Sequence, residues 1–292
     1  MKENITLLGL GNLGMPIAEK LLEAGFPLKV WNRTMSKAEP LVNSGAVLAM
    51  SPEEAITPGG ILITVLADDR VLKNVIFPDV LKRLGSGGLH ISVSTISPET
   101  SRELYLQHKN LGSQYLAAPI FARPEAIRTK VGNICLSGDE DARIRARGIV
   151  AHFAKGIFDF GDEPGAANIV KLAGNFMIGA SIEMMAEAFT FAEKNDISRQ
   201  AIYEMLTQTL FSAPIFQNYG KMVADHNYKP VAFQLPLGLK DINLVLKTSE
   251  ASSVPMPMAD LIRNRFVSAI AKERTNLDWS ALAIGASDEA GL

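Results

Sequence analysis

The chain has one cysteine, Cys135, so no intramolecular disulfide can form. Its four histidines (His90, His108, His152, His226) stand singly, with no Cys/His tract at zinc-ligand spacing. A reducing, metal-free setting is expected. Positive charge is not in excess either: 29 Lys and Arg face 31 Asp and Glu, leaving no basic balance to draw in nucleic acid or an anionic membrane. The start of the chain runs straight into the apolar ITLLGL, without a basic stretch and a cleavage site, so it does not read as a signal peptide. The expected location is the cytoplasm, and the expected partner a small molecule. No internal repeat or low-complexity linker stands out.

What is present is enough apolar material for two domains: 292 residues, 47% of them hydrophobic. From Ile5 to about Phe160 short aliphatic runs (ITLLGL, PLKVWN, ILITVLA, LHISVS, QYLAAPI, VGNICLS, IFDF) alternate with helix-like segments. Such βαβ alternation predicts an α/β domain with a mostly parallel, doubly wound sheet covered by helices on both faces. The turn residues of GDEPG set the boundary, giving domains 1–162 and 163–292. A single long helix is expected from about Pro164 to Asn195, apolar on nearly every face and so buried between domains or subunits. Lys171, Glu183 and Glu187 argue against its being a membrane span. Further helices are expected at about 198–210, 212–225, 238–250 and 256–274.

Gly9, Gly11 and Gly14 stand at G-x-G-x-x-G, with Leu10, Asn12 and Leu13 between them, directly after a strand and at the start of a helix. In that context the first glycine permits a tight turn and the second lets a pyrophosphate approach the backbone. The third brings helix and strand together, leaving the phosphates on helix N-terminal N–H groups. The next strand should deliver an acid to the ribose of NAD, but PLKVWN ends in Asn32, Arg33 and Thr34. A carboxylate there would repel a 2′-phosphate, whereas a guanidinium grips one, so NADP(H) is the expected cofactor and Arg33 its discriminator.

Within GAANIVKLAGNFM, Lys171 and Asn175 lie four apart, on one helical face, among apolar neighbours. An ammonium and a carboxamide in such company snorkel, pair, or line a cavity. Four stretches in order carry a resemblance across the whole chain: GLGNLGMPIAEKL, AAPIFARPEA, GAANIVKLAGN and LGLKDINL. Together they resemble the β-hydroxyacid dehydrogenases, relatives of 3-hydroxyisobutyrate dehydrogenase, tartronate semialdehyde reductase and 6-phosphogluconate dehydrogenase. The resemblance implies a Rossmann domain followed by an all-helical domain joined through the long helix, usually as a dimer or tetramer. It also implies that Lys171 is catalytic, Asn175 orients the substrate, and Lys240 closes over the cofactor beside Asp241. Thr95 would lie near the nicotinamide, and Leu66 and Ala67 would line the dinucleotide. The expected reaction is reduction of a small aldehyde or oxo acid, with protonated Lys171 as general acid.

The chain departs from that family at Ala117–Arg123, where Asp-Ala-Pro-Val-Ser-Gly-Gly is usual. Phe121 adds apolar bulk to the substrate stretch. Arg123 either replaces the lost anion donors or pairs with Glu125. The departure keeps open an imine reductase-like activity on a less acidic substrate, although relatives of that kind generally carry Asp or Tyr at the position of Lys171. A non-catalytic dinucleotide-binding interaction protein is the reading from another class. Cys135 is expected to be a small buried residue, and Asp68-Asp69 a helix start rather than a metal pair.

Overall fold

The computed structural model describes residues 2–292. Its contacts divide the chain after Lys171 into an α/β unit and a unit spanning Leu172–Leu292.

The α/β unit runs β1 (Ile5–Leu8), α1 (Gly14–Glu23), β2 (Leu28–Trp31), α2 (Glu39–Asn43), β3 (Val47–Leu48), α3 (Pro52–Ala55), β4 (Ile61–Thr64), α4 (Asp69–Ile76), α5 (Asp79–Leu84), β5 (Leu89–Ser92), α6 (Pro98–Asn110) and β6 (Gln114–Ala117). β7 (Ile120–Phe121), α7 (Pro124–Arg128), β8 (Asn133–Leu136), α8 (Glu140–Val150) and β9 (Gly156–Asp159) follow. Six strands form one all-parallel sheet in the order β3-β2-β1-β4-β5-β6. Successive strand residues point to opposite faces, and both faces are covered. Ile5, Leu7, Ile61 and Ile63 pack with Ile17, Leu21 and Ile149 in one core. Leu8 and Leu62 pack with Leu72, Ile76 and Leu104 in the other.

The expected single sheet needs correction at its far edge. Pro119, which has no N–H to give a ladder, follows β6, and the chain leaves to build a second sheet, β7-β8-β9. There β7 and β8 are antiparallel and β8 and β9 parallel. The two-residue β3 was also not anticipated.

α9 (Ala166–Glu193) is the long helix, and the division of the chain falls inside it. It stops where Asp196 takes a left-handed conformation (φ 62°), with Ile197 N–H bonding Ala192 O at 3.0 Å and Asp196 N–H bonding Glu193 O at 3.2 Å. Within its own chain α9 is covered on one side. Met177 and Phe191 are 66% and 73% exposed, and with Ile169 and Met184 they form an outward apolar stripe, while Ile182, Ala186 and Phe189 face the core. By length and composition alone α9 is apolar enough to cross a membrane, but its Glu183 is buried against Arg265 within the folded unit.

The second unit is all helix beyond α9: α10 (Arg199–Gln208), α11 (Pro214–Ala224), α12 (Leu235–Ala251), α13 (Pro257–Ala271) and α14 (Ile284–Ala290), with a 3-10 turn at Trp279–Ala283. α14 was not foreseen. Trp279 centres this core, stacked on Phe266, edge-on to Phe233 and Tyr219, and donating its Nε1–H to Tyr219 Oη at 3.1 Å. The DWSALA segment is thus core material.

Candidate active site

In a parallel sheet of this order the crossovers from β1 and β4 leave in opposite directions, opening a crevice at the carboxyl ends of those strands. The predicted cofactor residues lie at that edge: Gly9–Gly14 after β1, Asn32–Thr34 after β2, Leu66 and Ala67 after β4, and Thr95 after β5.

The three glycines differ in why a side chain is excluded. Gly9 has φ +105°, and a Cβ would sit 2.3 Å from Val65 O. A Cβ on Gly14 would come 1.9 Å from Gly9 O, so helix and turn touch there. A Cβ on Gly11 meets nothing within 4 Å. Its absence serves no internal packing and leaves the backbone open to a ligand, which is the fit a pyrophosphate requires.

Asn32 has a use that its type alone did not disclose. Its Oδ1 accepts Leu10 N–H at 2.9 Å and its Nδ2 donates to Thr34 O at 2.9 Å, so it braces the glycine turn against its own loop. An aspartate could accept the first bond but not donate the second. Arg33 and Thr34 are exposed beside it. Leu66 N–H donates to Ser94 Oγ at 2.8 Å, joining the loops after β4 and β5. Thr95 is half-buried between the buried Ser94 and Ile96. Asn12 is exposed and Leu13 half-buried at the start of α1.

Lys171 is only 9% exposed, and its Nζ lies 4.1 Å from the centroid of the Phe121 ring. The ring's negative face attracts the ammonium. Phe121 and Val170 both pack against the buried cluster that holds Ala167 and Cys135. Cys135 is buried in β8 and burial pushes its thiol up, which suits a packing residue rather than a nucleophile. Arg123 stands half-buried at the N-cap of α7. Asp68 caps α4, its Oδ1 accepting Val71 N–H at 2.7 Å, and no cluster suited to a metal ion occurs among the described residues.

In the helical unit, Asn175, Lys240 and Asp241 converge. Asn175 Nδ2 donates to Asp241 Oδ2 at 2.5 Å, and Lys240 Nζ lies 2.8 Å from Oδ1. Adjacent helical residues do not face each other and Asp241 Oδ1 has no hydrogen-bond partner among the described residues, so the pair is a charge contact rather than a directed hydrogen bond. Asp241 is fully buried. Sequence reasoning placed it only beside Lys240; its tie to Asn175 was missed. The available signal was a carboxylate inside the apolar LGLKDINL, a position that is costly unless paired.

The family model for the NAD binding domain of 6-phosphogluconate dehydrogenase matches residues 4–161. That for the NAD-binding domain of NADP-dependent 3-hydroxyisobutyrate dehydrogenase matches residues 165–284. The chain is 39% identical over 280 residues to a Bacillus subtilis (strain 168) protein named Uncharacterized oxidoreductase YfjR, covering 95% of this chain and 98% of that one. It is 28% identical to glyoxylate/succinic semialdehyde reductase 1 of Arabidopsis thaliana, covering 95% and 96%. The crystal structure of a 3-hydroxyisobutyrate dehydrogenase from Salmonella typhimurium superposes with a TM-score of 0.86 at 26% identity, covering 97% and 99%.

Proposed function

The protein belongs to the β-hydroxyacid dehydrogenase family, an NAD(P)-dependent oxidoreductase of the 3-hydroxyisobutyrate dehydrogenase type, and on that premise we propose that it uses NADPH to reduce a small aldehyde or oxo acid. The reverse oxidation of the matching hydroxy acid is the same chemistry. In this reading residues 1–162 bind the cofactor and 163–292 supply the substrate and dimerisation surfaces. The dinucleotide, when bound, supplies the hydride that goes to the carbonyl carbon.

The observation that carries the proposal is the placement of Lys171, a buried ammonium stacked on Phe121 beyond the carboxyl end of β6. Lys171 holds a proton at Nζ, offsets negative charge on the substrate oxygen and donates the proton to it. Gly9, Leu10, Gly11, Asn12, Leu13 and Gly14 cradle the pyrophosphate, with Asn32 holding the turn in shape. Arg33 and Thr34, exposed at the end of β2, take the 2′-phosphate. Leu66, Ala67 and Thr95 line the nicotinamide side, and Lys240, positioned by Asp241, closes over the cofactor. Asn175, whose amide is oriented by Asp241, directs the substrate together with Phe121 and Arg123. The outward apolar stripe of α9 supports a homo-oligomer. One buried thiol and balanced charge support a cytoplasmic setting, with neither nucleic acid nor membrane as partner.

The test is steady-state turnover of small aldehydes, 2-oxo acids and cyclic imines with NADPH and with NADH. NADPH-linked carbonyl reduction is expected. Lys171→Ala should bind NADPH normally and lose on the order of 10²- to 10⁴-fold in kcat. Near-normal turnover by that variant refutes the lysine role. Imine-only turnover overturns the substrate class, and cofactor binding without any turnover leaves only a nucleotide-binding protein. A preference for NADH removes the role of Arg33.

A further inference from the structure

Between β5 and α6 a single peptide group, the one joining Ile96 to Ser97, is held at both ends by side chains from other elements. Its N–H donates to Oδ1 of Asp69, from α4, at 3.0 Å. Its carbonyl accepts from Nδ2 of Asn168, from the first turn of α9, at 3.4 Å. Asn168 is 1% exposed, and its Oδ1 accepts from Ser101 Oγ at 2.7 Å; Ser101 Oγ lies 3.0 Å from Tyr115 Oη. The amide is therefore oriented by its surroundings, with the oxygen towards a hydroxyl and the nitrogen towards a carbonyl. Asp69 also accepts from Ser97 Oγ at 2.5 Å. Burial alone would raise its pKa, but hydrogen bonds from Ser97 and Thr100 outweigh that and hold it below the usual carboxylate value.

The neighbours of this peptide give it importance. Thr95 is one residue before Ile96, and Lys171 is one helical turn after Asn168, on the same side of α9. A second anchor holds the same turn, since Ser137 Oγ accepts Ala167 N–H at 2.9 Å and donates to Pro164 O at 3.1 Å. That anchor takes only backbone groups from the start of α9 and would fix the helix whatever side chain occupied position 168. The carboxamide of Asn168 adds the link to the loop that carries Thr95.

We propose that Asn168 is a positioning residue, its carboxamide fastening the start of α9 to the Ile96–Ser97 peptide so that Lys171 and Thr95 keep a fixed separation. The proposal rests on the reading of Lys171 as the proton donor. The decisive variant is Asn168→Asp, which keeps size and the acceptor for Ser101 but sets an oxygen against the Ile96 carbonyl. Displacements of about 1 Å near reacting groups cost up to about 100-fold in rate, so kcat should fall on the order of ten- to a hundredfold. KM for the carbonyl substrate and the NADPH Kd should stay within about twofold of wild type, a split that general loss of structure would not produce. Tyr115→Phe, which leaves both hydrogen bonds of Asn168 in place, serves as the structural control and should keep kcat near wild type.

Asn168→Asp that binds NADPH normally and retains wild-type kcat overturns the proposal. So does a parallel loss of kcat, cofactor affinity and melting temperature in Asn168→Asp and Tyr115→Phe alike. Should Asn168→Asp fail to fold, Asp69→Ala tests the same peptide from its other end, with a lowered kcat at unchanged NADPH Kd expected and an unchanged kcat overturning the idea. Lys171→Ala separates the two levels. An active Lys171→Ala enzyme removes the premise, whereas an inactive one alongside fully active position-168 and position-69 variants removes only the positioning role.

Discussion

The deepest polar groups of the α/β unit are neutral, whereas the helical unit buries charged groups beside neutral ones. In the first, Thr64, His90, His108 and Ser113 form a chain with links of 2.8 to 2.9 Å, all buried. Each imidazole thus has a partner at both nitrogens without carrying charge. Burial holds both below their ordinary values, His108 at about 3, with the neighbouring His108 lowering His90 further. In the helical unit, Glu183 pairs with Arg265 at 2.6 Å, Arg199 binds Glu193, Thr190 and Ser287, and Asp241 binds Asn175 and Lys240. There Glu183 Oε2 and Arg199 Nη1 are left with no hydrogen-bond partner among the described residues. Thr64 and His90 come from the neighbouring strands β4 and β5, and His108 of α6 and Ser113 before β6 complete the neutral chain. In the helical unit a long charged side chain makes the link between helices, Arg265 of α13 reaching Glu183 of α9.

The two strategies carry opposite signs in pH, and the largest expected effect follows from that. The buried imidazoles bind protons less readily folded than unfolded. Their contribution is whole above about pH 6.5 and is lost as pH falls towards the His108 value of about 3. The loss should be on the order of 3 to 5 kcal/mol for the α/β unit. Glu183 behaves in reverse. Burial raises its pKa, which the Arg265 contact only partly offsets, so its contribution is present below 4.5 and lost as pH rises through the raised value. Urea unfolding read by hydrogen-exchange labelling of β5 and of α13 across pH 4 to 7 checks the contrast. His108→Gln should flatten the β5 slope and leave α13 alone; equal slopes in both units would break the comparison.

Next in size is Arg265→Met, which strands a buried carboxylate and should destabilise the helical unit by about 3 kcal/mol. The double variant Glu183→Leu/Arg265→Met should be milder than the single one, because it removes both charges. Denaturant midpoints decide this, and additive losses would show that the pair is not an ionic unit. The smallest effect is expected at Arg147–Asp159, a pair at 2.6 Å whose side chains are 42% and 37% exposed. Asp159→Ala should shift the midpoint by less than about 1 kcal/mol.

Much of the nucleotide-facing edge was legible because its signals are local. Gly9, Gly11 and Gly14 sit within one turn, and runs such as ILITVLA declare buried parallel strands without reference to anything distant. Lys171 and Asn175 stood out as polar groups in an apolar helix. What they bind was not legible: the Phe121 ring and the Asp241 carboxylate come from segments far away in the sequence, and nothing in a helical pattern specifies them. Asn32 showed the reverse limit, since its residue type was noted as a missing acid while its positive use, donating to Thr34 O, depends on how the loop closes. The outward stripe of α9 was legible only as general apolarity, because hydrophobicity on every face says how apolar a helix is, not which face its own chain covers.

Composition, strand periodicity and glycine spacing were enough to determine an α/β unit with a dinucleotide edge, a helical unit after it, and a lysine one turn before an amide. These rest on short-range sterics and on apolar periodicity, which each segment carries alone. Only the tertiary structure decided that Pro119 opens a second sheet, that the Lys171 ammonium lies on Phe121, and that one peptide is pinned between Asp69 and Asn168. Those pairings join residues from separate elements, and their partners are chosen by the packing of those elements rather than by any local preference of the chain.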